Sequence, residues 1–172
     1  MILPKDSLAP HSGDVLVGSL GKVVAFEPQL KMYEELLVNL DLNHVQNVRA
    51  EMVALGDTEA RVSMSFAEDI SEGSTSFGEG GNRVELRRLD SYAFEKVSVM
   101  KVDVEGSELK LLEGARATLE RHRPSIFIEI KGASDPPGSE TRKNYEAVTG
   151  LLANLGYALE NIQGWDWIAR PR

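Results

Sequence analysis

The residues best placed to do chemistry are carboxylates at the ends of apolar runs. In VSVMKVDVEGSELK (97–110), Val97, Val99, Val102 and Val104 make a β-branched run broken only by Lys101 and Asp103. That is the composition of a buried parallel strand. Asp103 and Glu105 flank Val104, so they share a face if the strand continues and converge if the chain turns into a helix. Such a pair offers two chemistries: one carboxyl with a raised pKa serving as a general base, or a seat for a divalent cation. The structural alternative is that Glu105 and Glu108 favour the positive end of the following helix while Asp103 holds the turn. Against a metal, that alternative prevails. Glu27 closes KVVAFE directly before Pro28. On the second strand of a doubly wound sheet, a carboxylate there accepts hydrogen bonds from both ribose hydroxyls of a nucleoside cofactor; the alternative is a surface charge. Glu129 ends another strand beside Lys131, as a further polar group at the same edge or as a pairing residue.

Other chemistries find no support in the residue types. The chain of 172 residues has no cysteine, which removes disulfides, thiolate nucleophiles and cysteine metal sites. His11, His44 and His122 are scattered without metal-ligand spacing, and there is neither a G-x-S-x-G elbow nor a P-loop. Gly13, Gly18 and Gly21 do not form G-x-G-x-x-G, so a dinucleotide dehydrogenase is a distant reading. A net charge of −8 without a Lys/Arg stripe argues against nucleic acid as a partner. No apolar run approaches a membrane span and no signal-peptide core is present, which leaves the cytoplasm as the expected location.

The elements that must position these groups read as alternating strands and helices. Residues 1–20 form an irregular head segment containing a short apolar run, Val15–Val17, and residues 21–172 form one domain. Lys22–Glu27 is a strand buried on both faces, and Gln29–Leu42 a helix with Tyr33, Leu36, Leu37 and Leu40 as its apolar stripe. Val48–Leu55 reads as a core strand and Ala60–Phe66 as a half-exposed one. Residues 68–82, rich in Gly, Ser and Glu, read as a surface loop or lid, and Arg83–Leu89 as a short strand. Ser107 is placed to cap one helix running to Pro124, with Leu109, Leu112, Ala115 and Leu119 at helical spacing. Ser125–Ile130 is the next strand. After a loop at 131–139, Tyr145, Val148, Leu151, Leu152 and Leu155 stripe a helix ended by Gly156. Tyr157–Glu160 and Trp167–Ala169 then pair through a hairpin, with Trp165 and Trp167 packing it.

Laid out this way, the sequence resembles the FkbM-type methyltransferases, which are S-adenosylmethionine-dependent enzymes of the doubly wound fold. The strongest match is VDVEGSELKLLEGARATLERHRPSIFIEI (102–130), which carries the family's IDVEG-x-E turn, its L-x-GA helix and its RP-x-x-x-x-E strand. GKVVAFEP (21–28) resembles the family's second strand, ALGD (54–57) the end of its third, RRLDSY (87–92) its T-LD segment, and LLANLGYAL (151–159) its last helix and strand. The likeness implies that Glu27 and Pro28 lie at the cofactor ribose, Leu55 and Asp57 near the adenine, and Asp103 in the cleft beside the cofactor. It departs at the head: family members carry a DVGAN-x-G turn after the first strand, and MILPKDSLAPHSGDVLVGSLG has none.

The expectation is therefore an α/β protein with a Rossmann-like class I methyltransferase sheet, mostly parallel with a C-terminal antiparallel hairpin, lacking the first strand and helix. The domain is read as truncated on its N-terminal side. Its function is expected to be O-methylation of a sugar or secondary-metabolite hydroxyl, with S-adenosyl-L-methionine as cofactor, Asp103 and Glu105 as catalytic residues and no metal. The acceptor is a small-molecule or glycan hydroxyl, and a homo-oligomer or covering partner fits the uncovered sheet. Without the DVGAN-x-G turn, the chain as given is expected to bind S-adenosylmethionine weakly or not at all, even as a member of that family. The alternative function is an inactive or truncated methyltransferase-like α/β module without catalysis.

Overall fold

A computed structural model describes residues 21–66, 75–77 and 82–172; the head segment and its expected features lie outside them. The chain is an α/β fold with mixed parallel and antiparallel pairing. Strand β1 (Val23–Phe26) runs into helix α1 (Leu30–Leu42), which crosses over to β2 (Val48–Glu51), parallel to β1 with Val23 opposite Val48 and Phe26 opposite Glu51. The expected continuous strand 48–55 is broken. Residues 48–51 pair with β1, while Ala54–Leu55 form β3 and pair in parallel with β6 (Asn82–Arg87). The break lets one run serve two sheets.

Strand β4 (Ala60–Phe66) lies antiparallel to β6 and to β5 (Thr75–Phe77), giving the order β3-β6-β4-β5. Part of the segment expected as a loop is thus strand: β5 lies inside it and β6 starts at its end. A short 3₁₀ turn (Leu89–Tyr92) leads to β7 (Val99–Val102). Two short helices follow, α2 (Glu108–Gly114) and α3 (Arg116–His122), then β8 (Ser125–Glu129), parallel to β7. Helix α4 (Glu140–Asn154) precedes the hairpin β9 (Tyr157–Gln163) and β10 (Asp166–Pro171), and β10 inserts antiparallel beside β8 to give β7-β8-β10-β9. Among the described residues, the hydrogen-bonded strands therefore form three groups rather than one continuous parallel sheet.

The single helix expected after Ser107 is also divided, and two contacts explain why. A Cβ on Gly114 would sit 1.8 Å from the carbonyl oxygen of Gly56, so the helix meets the backbone after β3 at a distance only glycine permits. Beyond Ala115, the carboxylate of Asp90 accepts hydrogen bonds from the amides of Ala117 and Thr118 and from the Thr118 hydroxyl, at 2.8–3.1 Å. Asp90 thus caps α3 from the 3₁₀ turn, 28 residues upstream of Thr118. Burial alone would raise its carboxyl pKa; the bonds from Thr118 and Ala117, with Arg88 nearby, outweigh burial and hold it low. Ser107 occupies the N-cap of α2 without a side-chain cap bond, contrary to expectation.

The main core lies where α2, α3 and α4 cover one face of β7, β8 and β10. Leu112, Ala115, Leu119, Ile126, Ile130, Val148 and Leu152 are fully buried there. Each such leucine or isoleucine contributes roughly 1.5–3 kcal/mol by leaving water. The strands alternate instead of being buried on both faces: Met100, Val102, Ile126 and Ile128 point inward, while Val99 and Phe127 are exposed. Gly156 ends α4 with φ +77° as expected. Arg123, itself at φ +48°, bonds the carbonyls of Leu155 and Gly156 and lies over the Tyr157 ring, so the arginine of the RP segment ties α3 to the start of β9. No helix among the described residues is long and apolar enough to cross a membrane.

Candidate functional site

The C-terminal ends of β7 and β8 open into a cleft of about 550 Å³ lined in part by Asp103, Glu105, Glu108, Glu129, Lys131 and Asn144. Strand alternation brings the first groups together. Asp103 follows Lys101 at a two-residue interval on the face opposite Met100 and Val102, and the two pair at 3.3 Å. Glu129 ends β8 next door.

Past Asp103 the chain reverses sharply. Glu105 and Gly106 have φ +46° and +91°, and the amide of Ser107 bonds the carbonyl of Val104 at 3.2 Å. Gly106 takes such a conformation freely, whereas a non-glycine residue there costs roughly 1–2 kcal/mol. The return on that strain is reach: Glu105 Oε2 lies 2.8 Å from Lys131 Nζ. Lys131 also stands 3.5 Å from Glu129 and 5.0 Å above the exposed ring of Trp165. Trp165 is fixed by its backbone, since its carbonyl accepts the amide of Ile130 at 2.8 Å.

The cleft wall is built by α4. Buried Glu108 accepts the amide of Gly106 and the side-chain amide of Asn144, both at 2.7 Å. It therefore locks the turn and fastens it to α4, a fuller role than a helix-dipole charge. Gly132 completes the wall: a Cβ there would meet Thr141 backbone atoms at 2.2 Å, so glycine lets the segment after Lys131 lie against the first turn of α4.

Electrostatics single out two groups. Burial raises the Glu129 carboxyl pKa, the Asp103 charge raises it further, and Lys131 only partly opposes them. Lys131 is itself held above its ordinary range, chiefly by its hydrogen bond to Glu105 against the opposing effect of burial. No group of His, Asp and Glu among the described residues could hold a metal ion.

The structure gathers Asp103, Glu105 and Glu129 into this cleft, and adds Glu108, Lys131 and Asn144. It places the other expected site residues elsewhere. Glu27 follows β1, where one of its carboxylate oxygens accepts the amide of Gln29 at 2.8 Å, and half-buried Pro28 lies between them. Leu55 packs against the main core, and Asp57 lies in the turn approached by Gly114. None of these four lines the cleft. Glu108 and Asn144 carried no sequence signal as a pair, because their contact spans 36 residues; the signal for Glu129 was its place at a strand end.

Comparison with known proteins bears on what this arrangement serves. Residues 6–159 match the family model described as a methyltransferase FkbM domain. A protein of Beauveria bassiana (strain ARSEF 2860), "Methyltransferase 1", is 25% identical, in an alignment covering 84% of this chain and 66% of the relative. The crystal structure of methyltransferase FkbM from Methylobacillus flagellatus KT superposes with a TM-score of 0.60 at 20% identity, over 91% of this chain and 38% of that one. That likeness shows the fold. The chain spans just under two thirds of the fungal relative.

Proposed function

The chain belongs to the FkbM methyltransferase domain family, and from that premise we propose that it transfers a methyl group from S-adenosylmethionine to a hydroxyl oxygen of a small-molecule or glycan acceptor. The parallel pairs β1–β2 and β7–β8 are read as parts of one Rossmann-like class I sheet. The observation that carries the reading is the cleft at the ends of β7 and β8, where three carboxylates meet one clamped ammonium.

The family resemblance assigns the cofactor ribose to Glu27 and Pro28 at the end of β1 and the adenine to Leu55 and Asp57, residues that lie outside the cleft of Asp103 and Glu105. The carboxylates of the cleft suit a cationic sulfonium, and Asp103 stands among them. When bound, S-adenosylmethionine supplies an electrophilic methyl group on sulfur. The chain's own residues orient the acceptor: the wall made by Glu108 and Asn144 is rigid, and Lys131 and Trp165 give its rim one donor and one flat apolar face. Most of the acceleration then comes from holding oxygen and methyl in line.

Calorimetric titration with S-adenosylhomocysteine tests this reading. The parent chain should bind it, and Glu27→Ala should weaken binding by roughly 1–3 kcal/mol, the worth of hydrogen bonds to a charged group. Equal affinities would remove Glu27 from the site. A folded parent that does not bind would favour the non-catalytic module.

A further inference from the structure

The three carboxylates at the cleft mouth are not equivalent. Asp103 is paired with Lys101 at 3.3 Å, and Glu105 with Lys131 at 2.8 Å. Glu129 has the looser arrangement, sharing Lys131 at 3.5 Å with its side chain only 29% exposed. We propose that Glu129 is the base that takes the proton from the acceptor hydroxyl, and that Glu105 is a positioning residue that holds Lys131 back from it. This deepens the methyl-transfer reading and rests on it. The balance is simple: the acceptor oxygen bonds to the methyl carbon, the carbon–sulfur bond breaks and leaves a neutral thioether, and the hydroxyl proton passes to the Glu129 carboxylate.

The surroundings of Glu129 support the assignment. Asp103 and Lys101 face it from β7, Glu105 from the turn, and Asp166 from β10, where it stands in register with Glu129. Glu108 is occupied by Gly106 and Asn144, and Glu140 and Lys143 on α4 pair with each other at 2.7 Å. Burial raises the Glu129 pKa first, and the charges of Asp103 and Glu105 add to it against Lys131, so it moves toward the working range of a base. The left-handed Glu105 finds a reason here. Asn or Asp is the cheaper residue before glycine in such a turn, but a shorter side chain would not span the gap to Lys131. Were Lys131 released from Glu105, its ammonium would tighten the 3.5 Å pair it already makes with Glu129 and lower the pKa of that carboxyl.

The signature is a pair of opposite pKa shifts, read by pH titration of protein carrying ¹³C at its glutamate carboxyl carbons, with Glu129→Gln identifying the resonance. In the parent, Glu129 should titrate above the exposed glutamates. Glu105→Gln removes a like charge and frees Lys131, so the Glu129 midpoint should fall. Lys131→Met removes the cation, so it should rise. An ordinary Glu129 midpoint, or variants that shift it in the same direction or not at all, would overturn the proposal. On a panel of monosaccharides and cyclic alcohols, Glu129→Gln should lower kcat by about 10²–10⁴-fold with KM little changed for every acceptor the parent methylates; an unchanged kcat would also overturn it. Calorimetry with S-adenosylhomocysteine separates the two claims. Binding together with an unshifted Glu129 sinks the base alone, while a parent that does not bind sinks the methyl-transfer reading and the base with it.

Discussion

The described residues hold two parallel β-helix-β units on the same plan, yet in β7–α2–α3–β8 the crossover buries Leu111, Leu112, Ala115 and Leu119, whereas in β1–α1–β2 no helix residue is buried. Leu30, Val38 and Leu42 of α1 are each more than half exposed. In the dense unit the carboxylates reach far along the chain: Glu105 meets a lysine 26 residues away and Glu108 an asparagine 36 away. A group that must meet partners from distant segments needs those segments held still, and dense packing holds them. The cleft lies at the end of the unit that has such packing.

The comparison breaks most directly by truncating one leucine in each unit. Leu119 is fully buried between α3 and the sheet, so Leu119→Ala should cost about 2–5 kcal/mol through lost transfer energy and the cavity left behind. Leu42 is 69% exposed at the end of α1, and Leu42→Ala should change stability by less than about 0.5 kcal/mol. Urea unfolding of both variants measures the difference. Equal losses would mean that α1 is packed in solution as tightly as the other crossover.

Glycines sharpen the same contrast. Gly114→Ala drives a methyl group into the Gly56 carbonyl and should destabilise by about 1–3 kcal/mol or more. Gly150, on the outer side of α4, faces open space: apart from its chain neighbours and the helix's own backbone, nothing lies within 4 Å of where an alanine methyl would stand. Gly150→Ala should therefore stabilise by roughly 0.5–1 kcal/mol through helix propensity alone. Thermal melts of the pair decide it: a neutral Gly114→Ala would show that the helix can step back from the turn after β3.

These positions also mark what is legible in the sequence. Helical spacing over 107–122 and the apolar run before Asp103 locate the central unit, because period and composition are local properties. The interruption at Ala115 is hidden, since its causes are a carbonyl in the turn after β3 and a carboxylate in another turn. The α1 stripe foretells a helix correctly but not how little of it is covered, because burial depends on what packs against it. At the site, Asp103, Glu105 and Glu129 are visible as strand-end acids. Trp165 reads from sequence as hairpin packing, because its arrival over Lys131 depends on the β9–β10 register, which shifts between Asp166 and Trp167. Glu108 reads as a dipole charge, because nothing local announces that Asn144 of α4 stands beside it.

The last of these effects concerns the cap that joins the dense unit to the rest of the chain. Asp90 holds the first turn of α3 with both carboxylate oxygens, and Arg88 pairs with it at 3.2 Å. Replacing it by asparagine keeps the size and one acceptor oxygen but removes the charge and one acceptor, so Asp90→Asn should cost about 1–2 kcal/mol at neutral pH. The sign of its pH dependence follows from the depressed pKa. A carboxyl whose pKa is lower folded than unfolded contributes its full stability above the unfolded value, and loses it as pH falls through the folded one. The gap between parent and Asp90→Asn should thus be widest near neutrality and close in acid, below the ordinary carboxylate range. Denaturant midpoints at a series of pH values test this directly. A gap constant down to strongly acidic pH would assign the loss to shape rather than charge, and Asp90 would then be a packing residue of the turn instead of an ionised cap.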